Sequence, residues 1–272
     1  MQIIIDSDRL RISIAKGSSN TNTALIAFSG AALLFGGVPQ EEFFRSTEHL
    51  GMTRIFVVDK SVSFYSNSAT NAEILSNIVG AIPQFRDMTI ICLGVSAGGL
   101  GAILFSKALS ADYCLAFSPQ FTVHPSQFGG PVVYSPSELV ETSDIDHCGS
   151  FVRDGCNYVI VTGALSADIL HASRIGAYYG GFLSLGIHDH RIVGYLIGSG
   201  TFRAMLDATS RHASRSQLIQ IIADSFPCRL IDWQCCSATE KLMKSRHDLS
   251  VPLRSIEPRD AAWILMHMDE WL

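Results

Sequence analysis

Ser96 is the residue of this sequence best placed to act as a nucleophile. It stands in Gly94-Val95-Ser96-Ala97-Gly98, between the apolar run "TIICLG" and the small-residue run "AGGLGAILFSKAL". A buried strand that turns abruptly into a helix strains its corner residue, and side chains on either side would collide with the sheet or the returning helix. Glycine at both flanks removes that collision. The hydroxyl is then expected at the carboxyl end of a sheet, with a helix N-terminus behind it and the Ala97 N–H aimed at a developing negative oxygen. The chemistry of such a corner is acyl transfer through a covalent serine intermediate. A merely tight structural turn is the plainer reading of the same five residues.

The elements that must hold this corner alternate along the chain. "IIID" (3–6) and "RLRISIA" (9–15) read as an opening pair of strands. Buried strands follow at 23–30, 53–59, 88–94, 112–118, 157–163 and 182–187. Their near-continuous hydrophobicity implies cover on both faces. Helical patterns lie between them at 40–50, 69–80, 97–109, 167–178 and 190–208. Strand and helix in alternation predict a mostly parallel sheet of about eight strands wrapped by helices, with Ser96 at a strand-to-helix switch. Residues 119–152, rich in Pro, Gly and Ser, suggest a lid or insertion. Residues 211–272 read as a helical extension, ending in "PRDAAWILMHMDEWL", which would seal the core or make a homodimer contact. No domain boundary is evident, so 1–272 is taken as one unit.

Placed in that series, the sequence resembles the α/β-hydrolase superfamily, and the turn around Ser96 carries the resemblance. It implies an α/β-hydrolase fold and a triad in the chain order serine, acid, histidine. The acid of that family follows the seventh strand, where "NYVIVTG" leads into "ALSADILHA", so the resemblance assigns Asp168. The alternative reading of Asp168 is a helix cap. The histidine follows the eighth strand, where "HDHRIVGYLIGSG" offers His188 and His190. His190, at the start of a helix, is preferred as base over His188. His171, one helical turn past the acid, is expected to face solvent or cover the site. The second oxyanion donor would come from the loop after the third strand, "FSGAALLFGG", through Ser29 and Gly30. Tyr65, Phe117 and Phe121, at or beyond strand ends, are candidates to line an acyl or sugar pocket, with core packing the equally good reading.

These assignments imply a serine hydrolase that cleaves a carboxylic ester, thioester or amide, without metal or other cofactor. His188 and His190 form an HxH pair, but no accompanying cluster completes a metal site. An acyltransferase with a sugar or amine acceptor is the nearest alternative. A non-catalytic binding protein on the same fold is the other. The segments "FSG", "VVDKSVSFYS", "GVSAGGLGAILFSKAL" and "LAFSPQ" are also similar to a little-characterised bacterial group, some of it associated with polysaccharide synthesis. That resemblance implies a carbohydrate-linked acyl substrate.

Composition narrows the class further. Hydrophobic residues make up 47% and charged residues 17% of 272, enough apolar surface for a large core. A net charge of −5 without clustered Lys and Arg argues against nucleic acid as partner. Seven cysteines with no CxxC pair fit a reducing cytoplasm. The first ten residues carry Asp6 and Asp8 and no basic run, so no secretory leader is expected. The uncharged stretch 17–40 is interrupted by polar and glycine-rich breaks, so no membrane span is expected from it.

Overall fold

Every strand anticipated from the β-branched runs forms. In this computed structural model residues 1–18, 22–30, 34–35, 38–39, 41–61, 63–65, 68–82, 85–120 and 151–231 are described. The strands are β1 (Gln2–Asp6), β2 (Leu10–Ala15), β3 (Thr23–Phe28), β4 (Thr53–Asp59), β5 (Thr89–Val95), β6 (Tyr113–Phe117), β7 (Asn157–Thr162), β8 (Phe182–Leu185) and β9 (Cys228–Ile231). They form one sheet in the order β1-β2-β4-β3-β5-β6-β7-β8-β9. The six strands from β4 to β8 in that order run parallel. β1 and β2 at one edge and β9 at the other are antiparallel to their neighbours. Leu34–Phe35 and Val38–Pro39 pair separately as a short hairpin.

The helices are α1 (Ser68–Ala81), α2 (Ala97–Ala108), α3 (Ser166–Tyr179), α4 (Ile192–Gly198), α5 (Thr201–Ser210) and α6 (Arg215–Ala223). Successive residues of a strand point to opposite faces, so β3 divides its apolar side chains between two cores. Ile26 and Phe28 pack with Ile74 and Ile78 of α1, Leu100 and Ile103 of α2 and Ile175 of α3. Leu25 and Ala27 face the other way, with Leu196, Phe202, Met205, Leu218 and Ile222 from α4, α5 and α6. The result is three layers, helix on sheet on helix. Ten of the twelve residues of α2 are buried, which explains why its sequence is apolar on all sides instead of striped. Truncating Leu100, which has no exposed surface, removes buried methyl groups at a cost of about 2–5 kcal/mol.

Three expectations need correction. Of the segment 40–50, the described residues 41–50 form not a helix but a series of turns closing in one short 3-10 turn, Glu48–Leu50. Phe43 has φ 65°, and the Thr47 hydroxyl donates back to the Phe43 carbonyl at 2.7 Å, a local bond that competes with helix propagation. The pattern 190–208 is two helices, α4 and α5, separated at Gly200, whose φ of 79° is left-handed. Within 211–272, α6 is followed by a strand instead of another helix. Pro227 stops the chain from continuing helically, Gly186 N–H donates to its carbonyl at 2.9 Å, and β9 then covers the edge of β8. The rest of that extension, and all but the ends of 119–152, lie outside the described residues.

Candidate active site

The corner at Ser96 has the strain the sequence implies. Between β5 and α2 its backbone adopts φ 56° and ψ −124°, a conformation that costs about 1–3 kcal/mol and persists only when the surroundings impose it. The surroundings do so. Ser96 N–H donates to Phe117 O at 2.9 Å, and Ser96 O accepts from Gln120 N–H at 3.1 Å and Leu100 N–H at 3.3 Å. A side-chain carbon on Gly94 would run into the Gly98 carbonyl, and one on Gly98 would run into the Phe28 carbonyl of β3. Both glycines are therefore steric requirements of the turn.

Two later crossings deliver the other groups. The Ala164 N–H donates to Ile187 O at 2.8 Å, tying the chain after β7 to the chain after β8. Across that link His190 Nδ1 and Asp168 Oδ1 are 2.8 Å apart. Asp168 is 4% exposed, while the His190 side chain keeps 30% of its surface open. With Nδ1–H donating to the carboxylate, Nε2 is the nitrogen left to take a proton. Asp168 is not a helix cap, since Leu165 occupies the cap position of α3. Its Oδ2 is buried and has no hydrogen-bond partner among the described residues. His188 is exposed. Asp189, between the two histidines, accepts from the backbone and side chain of Arg191, which hold its carboxyl below the ordinary carboxylate range. His171 is 6% exposed, so it does not face solvent.

Ser96 and His190 are not hydrogen-bonded to each other among the described residues. The Ser96 hydroxyl donates instead to Gln120 Oε1 at 3.0 Å. Gln120 lies just beyond β6, the strand next to β5, where loops at the carboxyl edge converge.

The oxyanion side is organised differently. The Ala97 N–H, the first amide of α2, has no acceptor among the described residues. The Ser29 N–H donates to Val57 O at 2.9 Å, as part of the sheet. The Gly30 N–H donates to Glu42 Oε2 at 2.9 Å. Both amides expected to supply the second oxyanion contact are thus already bonded. Burial pushes the Glu42 carboxyl up to about 7, against the opposing effect of the Gly30 hydrogen bond. Beneath this loop Tyr65, 1% exposed, donates its hydroxyl to Ser29 O at 2.9 Å. Phe117 has no exposed surface and packs its ring 5.7 Å from that of Phe202. Tyr65 and Phe117 are therefore supports under the site, with no open face for a ligand. Phe121 lies outside the described residues.

Sequence reasoning missed Gln120 and Glu42. The position of Gln120 after β6 was a usable signal, because the strand order places it beside the Ser96 turn. Glu42 had none beyond ending, with Glu41, the uncharged stretch 17–40.

A parallel sheet with antiparallel edges, a strained serine after its fifth strand and an acid–imidazole pair after its seventh and eighth can be compared with known structures. No family model and no curated protein sequence matches the chain. Among solved structures it is similar to the capsule O-acetyltransferase of Neisseria meningitidis serogroup A, in a mutant form in complex with CoA. That likeness has a TM-score of 0.52 at 13% identity, over 76% of this chain and 93% of that one. It is also similar to the Gap123 glycosylation-associated complex of Streptococcus agalactiae, with a TM-score of 0.50 at 14% identity, over 75% of this chain and 45% of that one. The chain has the α/β-hydrolase fold. Within this α/β-hydrolase frame, Ser96, Asp168 and His190 stand at the carboxyl edge in the order serine, acid, histidine. Among the described residues no helix is long and apolar enough to cross a membrane.

Proposed function

We propose that this chain is a serine acyl-transfer enzyme that hydrolyses a carboxylic ester or thioester. The observation that carries the reading is the 2.8 Å contact between the buried Asp168 and the partly exposed His190, on the same sheet edge as the strained Ser96 corner. In the reaction Ser96 Oγ leaves Gln120 and bonds to the acyl carbon while its proton passes to His190 Nε2. The carbonyl π electrons move onto oxygen, held by the Ala97 N–H. When the tetrahedral adduct collapses, the bond to the leaving oxygen or sulfur breaks and that atom takes the proton from His190. Water, activated by the same imidazole, then releases the acid from Ser96. Asp168 keeps the ring oriented and stabilises its cationic form.

A second reading replaces water with a sugar hydroxyl or an amine as acceptor. Its support is the fold-level likeness to a capsule O-acetyltransferase solved with CoA. Incubating the protein with p-nitrophenyl acetate and weighing it intact tests the common step. One acetyl group on Ser96 is expected, absent from Ser96→Ala. Faster release in the presence of added sugar than in water alone would select the second reading.

A further inference from the structure

Among the described residues Glu42 is a carboxyl group with no counter-ion, set beside the nucleophile. Its hydrogen-bond partner among the described residues is the Gly30 N–H. A side-chain carbon built on Gly30 would touch Val95 O at 3.1 Å, Ser96 Cβ at 3.6 Å and Glu42 Oε2 at 3.7 Å, so the nucleophile and the carboxyl flank the same residue. Gly30 belongs to the loop from which a second oxyanion donor is expected. Yet the Ser29 N–H is consumed by the sheet and the Gly30 N–H by Glu42. If ionised, Glu42 would set a negative charge against the oxygen that becomes negative during acylation.

We propose that Glu42 is a substrate-contacting residue, a neutral carboxylic acid that accepts the Gly30 N–H on one oxygen and donates its own O–H to the carbonyl oxygen of the acyl group at Ser96. The proposal rests on the acyl-transfer reading above. It makes the second oxyanion donor a side chain, and Ala97 remains the backbone donor. The substrate class that fits is an acyl group without its own negative charge next to the carbonyl, since Glu42 would repel an anionic one whenever its carboxyl ionises.

The surroundings favour the neutral form of the carboxyl below about pH 7. On the loop after β4, Tyr65 gives its hydroxyl to Ser29 O and Val57 O, and Asp59 is taken by the hydroxyls of Ser61 and Ser63 and by the Tyr65 N–H. Towards β2, Glu41 accepts from Ser13, and Arg11 pairs with Asp6. Across Ser96, His190 is taken by Asp168. None of these supplies a cation hydrogen-bonded to Glu42. Burial is the larger influence on its ionisation, and it places the change near neutral pH, at about 7. A donor that works neutral is lost as pH rises through that value.

The test is kcat/KM for p-nitrophenyl acetate between pH 5.5 and 8.5 in wild type, Glu42→Gln and Glu42→Ala. Glutamine keeps an acceptor for Gly30 and a neutral donor for substrate, and cannot ionise. Wild type should lose activity above about pH 7, whereas Glu42→Gln should stay within about threefold of wild type at pH 6 and lack that decline. Glu42→Ala should fall on the order of 10²-fold, the effect of removing one oxyanion donor. An alanine variant equal to wild type, a glutamine variant as weak as alanine at pH 6, or a decline that persists in the glutamine variant overturns the proposal. Those results leave Ser96-dependent turnover intact. Wild type without Ser96-dependent turnover removes the acyl-transfer reading and this proposal with it.

Discussion

The two flanks of Ser96 are built on different logic. On the β7 and β8 side the acid and the imidazole are paired with each other: Asp168, 4% exposed, lies 2.8 Å from His190, whose side chain stays partly open. On the β3 side the expected donors are already spent, one amide on the sheet and the next on Glu42. On the first flank the Ser96 hydroxyl is bonded to Gln120 and not to His190 among the described residues. On the second flank the Ser29 and Gly30 amides are both bonded, and the proposal gives the donor role to Glu42.

The largest effect that sharpens this contrast belongs to the first flank. Asp168→Asn should leave the fold intact and reduce kcat by about 10³ to 10⁴, because the amide favours the wrong imidazole tautomer. His188→Ala should stay near wild type in the same assay, and an equal loss there would erase the distinction between the two histidines. Next in size is the frame both flanks share. Gly98→Ala forces a carbon against the Phe28 carbonyl and should destabilise the protein by about 3 kcal/mol or more, read as a lowered midpoint in urea.

A smaller effect lies on the second flank. Because the Glu42 carboxyl stays protonated in the folded state up to about 7, the unfolded chain loses that proton first as pH rises. Wild-type stability should then fall from the ordinary carboxylate range up to about pH 7 and level off. Glu42→Gln should flatten that slope, a difference on the order of 1–2 kcal/mol by denaturant melts. The smallest expected effect is that of Tyr65→Phe, which removes the bond supporting Ser29 O and should cost about 1 kcal/mol of stability.

The sequence was most informative where chemistry and local geometry coincide. The apolar runs from 23 to 187 marked their strands to within a residue or two, since burial on both faces leaves little choice. Ser96 was legible because its turn demands Gly94 and Gly98. Asp168 and His190 were legible from chain order, and the structure brings them together. The rest depends on contacts that no local pattern encodes. "CRLI" becomes β9 because the open edge of β8 accepts it. The break at Gly200 needs the packed positions of α4 and α5 on either side. Glu42 acquires its setting by folding back to an amide twelve residues earlier, and Gln120 by the adjacency of β5 and β6.

The central claim is that Ser96 is an activated nucleophile, and covalent labelling tests it most directly. A fluorophosphonate should add once to the wild-type protein, the adduct should map to Ser96, and His190→Ala should slow its formation by orders of magnitude. Failure to label, or equal labelling of Ser96→Ala, would contradict the account.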